Sequence, residues 1–333
     1  MIDIIIPTYK NISGLQKTLQ SIPQRDDICI TVIDDCSEYT MKEYEPILNE
    51  FPYISFYLSG SNSGPGCVRN TGLACSTEPY VMFVDTGDYF LDGAFDRIFD
   101  DLTAVPTAVV YTWLYYDYHK RAKPLVDFTH NRVHGRIYKR QFLKDYGIYF
   151  CEESSYANED IGFNQAIRRI IHDRGLLVFR SENPIMVWDY NENSLTEKDN
   201  HAFTYKNQQK GLALNIIHEV KILEKNHINL DLILDEVYYM MCIMQKNIIQ
   251  VAIERPEYLQ NAWDGAYLFY HQCFKHYYGM NDGIFENAKS EAISTIHKWI
   301  LKKHYDKYTH VNFNRFFNEL EKNQIVPDYY KQI

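Results

Sequence analysis

A chain of 333 residues is long enough for one large α/β domain with an appended unit, or for two modest domains, with no need of disulfide staples or oligomerisation to complete a core. Its composition, 46% hydrophobic and 23% charged with 28 Tyr and 18 Phe, is globular and aromatic-rich and excludes long disordered stretches. A formal charge of -10 excludes a surface built throughout to grip a polyanion, while leaving local basic patches open.

From Met1 the chain runs through Asp3 into a short apolar run ending at Pro7, with neither a basic leader nor an apolar signal core. No window approaches the roughly 20 apolar residues of a membrane-spanning helix. Seven cysteines (Cys29, Cys36, Cys67, Cys75, Cys151, Cys242 and Cys273) are scattered without Cys-x-x-Cys spacing and read as reduced thiols. The expectation is a soluble, cytoplasmic protein.

Short β-branched and aromatic runs at Ile2 to Pro7, Ile28 to Ile33, Ile54 to Leu58, Tyr80 to Val84 and Val109 to Tyr116 predict buried strands bounded by polar turns. Between the first two, Ile12 to Ser21 carries Leu15 and Leu19 four apart, and a connection of that length requires a crossover rather than a hairpin. Right-handed parallel βαβ units follow. From about Asn200 the strand-like runs stop. Leu212, Ile216, Val220 and Leu223, then Leu232, Leu234, Val237 and Met241, recur at helical spacing instead. The pattern predicts an α/β domain over residues 1–198 and a helical region over 199–333, in which the Met and aromatic stripe from Tyr238 to Met244 packs as core.

Chemistry concentrates at the strand ends. The first strand closes on Pro7-Thr8-Tyr9-Lys10 and lacks the Gly-x-Gly-x-x-Gly of a dinucleotide-binding dehydrogenase. The second closes on Asp34-Asp35-Cys36-Ser37, two carboxylates where open α/β sheets bind ligands. The loop Asn62-Ser63-Gly64-Pro65-Gly66-Cys67-Val68-Arg69 then enters a helix with Pro65 near its start, letting backbone amides and Arg69 approach a nucleotide and its phosphates. The fourth strand ends in Asp85-Thr86-Gly87-Asp88, hard oxygen ligands suited to Mg²⁺ or Mn²⁺ on a diphosphate. Glu159 and Asp160 stand at a helix start, where a carboxylate stays ionised and can act as a base.

In this order and spacing, over roughly residues 1–197, these segments resemble glycosyltransferase family 2. The resemblance implies a GT-A fold, a Rossmann-like mostly parallel sheet flanked by helices, and inverting transfer from a nucleotide-sugar, UDP-linked by preference. It implies that Pro7, Thr8 and Tyr9 line the base and that Asp35 hydrogen-bonds it. It also implies that Asn62 and Arg69 hold nucleoside and phosphate, that Asp85 opens the metal motif, and that Asp160 is the base with Glu159 in support. Members usually read Asp-x-Asp-Asp at the metal turn. Here Gly87 stands at the usual ligand position: either Asp88 reaches the cation through a shifted turn or a bridging water, with Asp85 and Asp88 the favoured ligands, or metal binding is weak, or cationic side chains take the ion's place. The stretch Trp188 to Thr196 resembles a segment closing over the donor diphosphate, with Ser194 and Thr196 as phosphate contacts or as a helix cap. His201 is either a further ligand or solvated.

For the acceptor, Lys120, Arg121, Lys123, Arg132, Arg136, Lys139, Arg140 and Lys144 stand against one acid, Asp127, between the metal turn and Asp160. The run suggests an anionic acceptor, such as hydroxymethylated DNA, a polyol phosphate polymer or a lipid phosphate; otherwise it is a solvated basic face. Tyr115, Tyr116, Tyr118 and Phe128 are available for stacking or core packing. Residues 199–333 cover the acceptor, complete the core or form a homo-oligomer contact. Tyr270, His271, His276, Tyr277 and Tyr278 are the residues of that choice. Two alternatives remain: a degenerate domain that binds nucleotide-sugar without turnover, and a nucleotidyltransferase, which would carry an Arg-containing Gly-rich loop directly after the first strand.

Overall fold

Four isoleucines in the first six residues set the architecture: Ile2, Ile4, Ile5 and Ile6 are all 0% exposed, so their strand is buried on both faces. Such a strand is stable in the middle of a sheet covered on both sides. The computed structural model describes residues 1–118, 125–126, 131–154, 158–189, 201–303 and 312–332, with backbone alone at 125–126 and 201–205. The chain divides into one unit of Met1–Ser155 and Phe163–Glu197 and another of Tyr156–Gly162 and Lys198–Ile333, each described here by itself.

In the first unit, β1 (Ile2–Thr8), α1 (Ile12–Gln20), β2 (Ile28–Asp34), α2 (Met41–Glu50), β3 (Ser55–Leu58), α3 (Pro65–Cys75) and β4 (Tyr80–Phe83) alternate along the chain. Strand β1 pairs in parallel with β2 and β4, and β2 pairs in parallel with β3. All three crossovers are helical, and the carboxyl ends of these four strands therefore share one edge of the sheet. There follow β5 (Tyr89–Phe90), α4 (Ala94–Ala104), β6 (Val110–Asp117), β7 (Leu125–Val126), β8 (Arg136–Lys139), α5 (Arg140–Asp145), α6 (Glu159–Arg174), which belongs to this unit from Phe163 onward, and β9 (Val178–Trp188). The nine-stranded sheet has the order β3-β2-β1-β4-β8-β6-β9-β5, with β7 on β6.

The mostly parallel sheet flanked by helices agrees with the sequence reading, and the five expected strands lie within a residue or two of their predicted bounds. What that reading did not contain is β8, which runs antiparallel between β4 and β6. Its Ile137 and Tyr138 are fully buried, but they are flanked by Arg136 and Lys139 inside a basic run, so only two apolar residues signal the strand.

The second unit contains α7 (His201–Lys225), α8 (Leu230–Glu254), α9 (Leu259–Phe269), a π turn over Tyr270–Phe274, α10 (Lys275–Tyr277), α11 (Asp282–Lys303), α12 (Phe313–Lys322) and α13 (Asp328–Lys331). Leu212, Ile216, Val220, Leu223, Leu234, Val237 and Met241 are buried, and Tyr238, Met240, Cys242 and Met244 of the stripe are core as expected. Tyr238 meets Phe274 and Phe285, and Phe274 meets Phe317, in one aromatic cluster. Tyr270 and Tyr277 are buried, whereas His271, His276 and Tyr278 are exposed. All seven cysteines are unpaired. No described helix is long and apolar enough to cross a membrane.

Candidate functional site

The strand ends of the first unit are tied into one rim. The Asp35 amide donates to the Thr8 carbonyl at 2.8 Å, and the Thr86 hydroxyl donates to the Pro7 carbonyl at 2.6 Å. Pro7 is half-buried, Thr8 is buried with its hydroxyl lacking a hydrogen-bond partner, and the Tyr9 side chain is 45% exposed. The two adjacent aspartates do different work. Asp34 accepts from the Ser37 amide at 2.9 Å, the Ser37 hydroxyl and the Tyr44 hydroxyl at 2.7 Å, closing its own turn. Burial and the Asp34 carboxylate push the Tyr44 phenol well above its ordinary value. Asp35 reaches across, its two oxygens accepting from the Ser63 and Gly64 amides at 2.8 Å each. The second strand thus fixes the loop that opens α3, and Asn62 lies exposed on that loop.

The acidic turn after β4 explains Gly87. The Asp88 amide donates to the Asp85 carbonyl at 3.1 Å, closing a four-residue turn whose third residue, Gly87, has φ +106°. An L side chain is strained there, and turns of this kind take glycine at that position. Thr18 staples the turn from α1: its hydroxyl accepts from the Gly87 amide at 2.9 Å and donates to the Asp88 carbonyl at 2.7 Å. Gly87 is therefore the pivot that carries Asp88 inward, to 3% exposure.

Asp88 and Asp85 meet there a residue that the sequence reading passed over. The His134 Nε2 lies 3.1 Å from Asp88 Oδ2 and 3.4 Å from Asp85 Oδ2. His134 lies two residues before β8, beside the Gly135 carbonyl that accepts from the Trp113 amide at 2.8 Å. Its ring is held between Tyr115 and Trp188, with centroids 5.5 and 5.2 Å away. No local spacing announced it; the pairing of β8 against β4 brings it to the acidic turn.

Arg69 completes the group from α3. Its Nη2 donates to Asp85 Oδ1 at 2.6 Å, and the guanidinium lies 5.4 Å over the Phe150 ring with the side chain 4% exposed. The residue expected at phosphate thus has Asp85 as a direct partner. Burial pushes the Asp85 carboxyl up, but Arg69 and His134 overcome this and hold it well below the usual carboxylate range. Burial pushes Asp88 up, His134 opposes the shift, and the neighbouring Asp85 charge adds to it. Burial disfavours charge on His134, yet the two carboxylates prevail and push its pKa up to about 9.

The donor atoms of Asp85, Asp88 and His134 lie within 4.8 Å of one another. Asp88 Oδ2 and both His134 ring nitrogens are buried without a hydrogen bond of normal geometry. Buried polar atoms without such partners are costly unless another group satisfies them. Two carboxylates and an imidazole could hold a divalent cation, and the nitrogen ligand suits Mn²⁺ better than Mg²⁺. The residues therefore fit the ion that the sequence reading expects.

Around this centre the Asp189 amide donates to Asp88 Oδ1 at 3.1 Å, Lys17 pairs with Asp189, and Arg132 lies 3.8 Å over the Trp188 ring. Ser194 and Thr196 lie outside the described residues, as do the side chain of His201 and, from the basic run and its aromatics, Lys120, Arg121, Lys123, Asp127 and Phe128. Three further basic residues are engaged locally. Arg136 donates to Asn164 at 2.8 Å, Lys139 to the Pro106 carbonyl at 3.3 Å, and Arg140 to the Glu78 and Thr77 carbonyls at 2.7 and 2.9 Å. Tyr115 is fully buried, while Tyr116 and Tyr118 are half-buried.

Glu159 and Asp160 belong to the second unit and are half-buried in the first turn of α6. Asn158 precedes them with φ 61°, and its carbonyl accepts from the Ile161 amide at 3.0 Å.

Comparison with known proteins bears on the family and the fold. The family described as Glycosyl transferase family 2 matches residues 3–172. A curated relative from Staphylococcus aureus (strain Mu50), poly(ribitol-phosphate) beta-N-acetylglucosaminyltransferase TarS, is 27% identical over 179 residues. The match covers 47% of this chain and 31% of the relative, so the chain matches under a third of that protein. The crystal structure of S. aureus TarS 1-349 in complex with UDP has a TM-score of 0.58 at 15% identity, covering 91% of each chain. The same fragment in complex with UDP-GlcNAc has a TM-score of 0.54 at 17% identity, covering 91% of this chain and 92% of the other. At such identity the two structures speak for the fold alone.

Proposed function

The chain belongs to glycosyltransferase family 2, and from that premise we propose that it transfers a sugar from a UDP-sugar to a hydroxyl of a polyol phosphate chain, with inversion at the anomeric carbon and in the cytoplasm. The observation that carries this reading is the cluster of half-buried Asp85 with buried Asp88 and His134 beside the Asp35-held loop, at the edge where open α/β sheets take their ligands. Residues 1–198 are assigned the donor and residues 199–333 the acceptor side or an oligomer contact. UDP is favoured by the complexes of the TarS fragment, and the polyol phosphate by the relative named for poly(ribitol-phosphate). Hydroxymethylated DNA is the less favoured anionic acceptor, because Arg136, Lys139 and Arg140 are engaged with Asn164 and with backbone carbonyls.

In this reading Pro7, Thr8 and Tyr9 border the base, with the free Thr8 hydroxyl available to it. Asp35 holds the loop and its amides, and Asn62 borders the nucleoside. Arg69 fixes the charge and orientation of Asp85. Asp85, Asp88 and His134 would hold a divalent cation, which supplies Lewis-acid stabilisation of charge on the departing diphosphate. Asp160, with Glu159 in support, takes the proton from the acceptor hydroxyl as its oxygen attacks the anomeric carbon. A bond forms from that oxygen while the bond to the diphosphate breaks on the opposite face, and UDP leaves with the electron pair. General-base assistance of this kind contributes about 10² to 10⁴ in rate.

The test is product analysis with UDP-GlcNAc and poly(ribitol phosphate) in the presence of Mn²⁺. Free UDP with sugar on the polymer is the expected outcome. Pyrophosphate release would identify a nucleotidyltransferase instead, and nucleotide binding without turnover a degenerate transferase domain.

A further inference from the structure

The helical unit carries a second chemical feature that the transferase reading does not use. A cavity of about 510 Å³ opens between α7 and α9, lined by Lys206, Asn207 and Lys210 from the first helix and by Asn261, Tyr267 and His271 from the second and its extension. Its floor is a close helix crossing. A Cβ on Gly265 would lie 2.6 Å from the Gln209 backbone carbon, so only glycine lets the helices meet there, and flanking side chains stand on either side as walls. Gln209 is buried beneath, donating to the Met244 carbonyl at 3.3 Å and accepting from Asn247 at 3.0 Å.

A second, independent feature borders the same space. Helix α9 runs into the π turn Tyr270–Phe274, from which His271 and Gln272 both line the cavity. Single π turns inside helices are rare and recur at functional sites because they re-aim side chains. His271 is held in place: Nε2 lies 3.1 Å from the Leu320 carbonyl, to which it donates, and the ring lies 4.3 Å from that of Tyr267.

The wall chemistry selects the ligand. Lys206 and Lys210 stand one turn apart, and neither makes an ion pair among the described residues. The cavity's one acid, Asp264, already accepts from Gln260 at 2.7 Å. On a chain of net charge -10 this is a local excess of positive charge. Asn261, Gln272 and the His271 Nδ1 can bond hydroxyls, and Tyr267 offers a ring edge to a carbon backbone. Cations with hydroxyl-binding groups fit a phosphorylated polyol. Single-stranded nucleic acid is matched less well, since it needs successive open rings for stacking and Tyr267 is already packed on His271. We propose that the cleft between α7 and α9 is a non-catalytic binding site for the phosphodiester-linked polyol chain; its identity as acceptor rests on the transferase reading above.

The experiment uses the full chain, a fluorescent ribitol phosphate oligomer, and competition by single-stranded DNA and by inorganic phosphate. The double variant Lys206→Ala/Lys210→Ala should bind the oligomer about tenfold more weakly and with a shallower salt dependence. Tyr267→Ala should weaken it without changing the salt dependence. In turnover the double variant should raise KM for a long polymer while leaving kcat, and turnover of a single ribitol phosphate unit, unchanged. Oligomer binding and polymer KM unaffected by the double substitution would overturn the proposal, as would DNA binding at least as tight as the oligomer, or competition by inorganic phosphate at the same concentration as the oligomer. Binding is read without turnover, so lysine-dependent binding by a chain that releases no UDP would sink the transferase reading and keep the site. UDP release with a KM indifferent to both lysines would do the reverse.

Discussion

The acidic turn of the sheet unit and the cationic cleft of the helical unit are built by opposite means. At the turn, Asp88 and His134 are 3% and 5% exposed, Thr18 fixes the backbone, and Arg69 and two aromatic rings fix the side chains. In the cleft, Lys206, Lys210 and His271 are exposed, and a glycine crossing with a π turn sets the spacing of the walls. Burial makes electrostatic interactions strong and rearrangement costly, whereas exposed charges are screened and individually weak. Substitutions at the turn should therefore act in large steps, and those in the cleft in small, additive ones.

The hardest challenge to that contrast is Asp160, which is half-buried in the second unit and yet is assigned the proton transfer. Asp160→Asn should lower kcat by about 10² to 10⁴ while donor binding, read by thermal shift, stays intact; turnover within twofold of wild type would remove the base assignment. Next in size is Asp88→Asn, expected to cost about 10² to 10³ in kcat with saturating donor, measured as UDP release. A loss no larger than that of a cleft lysine would erase the distinction between the two regions.

Smaller effects sharpen the picture of how the turn is held. Thr18→Val removes the hydroxyl that accepts from Gly87 in a part-buried bond and donates to Asp88 in a buried one, and should destabilise the fold by about 1–3 kcal/mol in denaturant melts. Gly87→Ala forces an L side chain to φ +106° and should cost about 1–2 kcal/mol. An unchanged denaturation midpoint in either variant would mean that the turn is less rigidly specified than its hydrogen bonds imply.

How much of this the sequence disclosed follows from where the determining contacts lie. Strands β1, β2, β3, β4 and β6 were legible because each is a largely apolar run, β-branched or aromatic, ended by polar turn residues, although β3, expected to be buried, is mostly exposed. Asp35, the Asn62 to Arg69 loop and the Asp85 to Asp88 turn were legible because they occupy the ends of such runs. His134 was not, because its relation to Asp88 is created by an antiparallel pairing whose strand shows only Ile137 and Tyr138 between charged residues. The role of Gly87 was hidden for a related reason. A glycine at a ligand position looks like a loss until the φ of the turn shows that it carries the next aspartate inward. In the helical unit, periodicity gave the buried faces of α7 and α8. The cleft depends on a Gly265 to Gln209 approach and on a π turn, neither of which alters hydrophobic spacing.

The most direct measurement is the thermal shift of the full chain with UDP in Mn²⁺, in Mg²⁺ and in EDTA. Stabilisation at 100 times Kd should amount to about 2.7 kcal/mol with the cation present and largely vanish in EDTA, and Asp88→Asn should abolish the cation dependence. No shift with UDP under any condition, or an equal shift in EDTA, would contradict a donor site built on Asp85, Asp88 and His134.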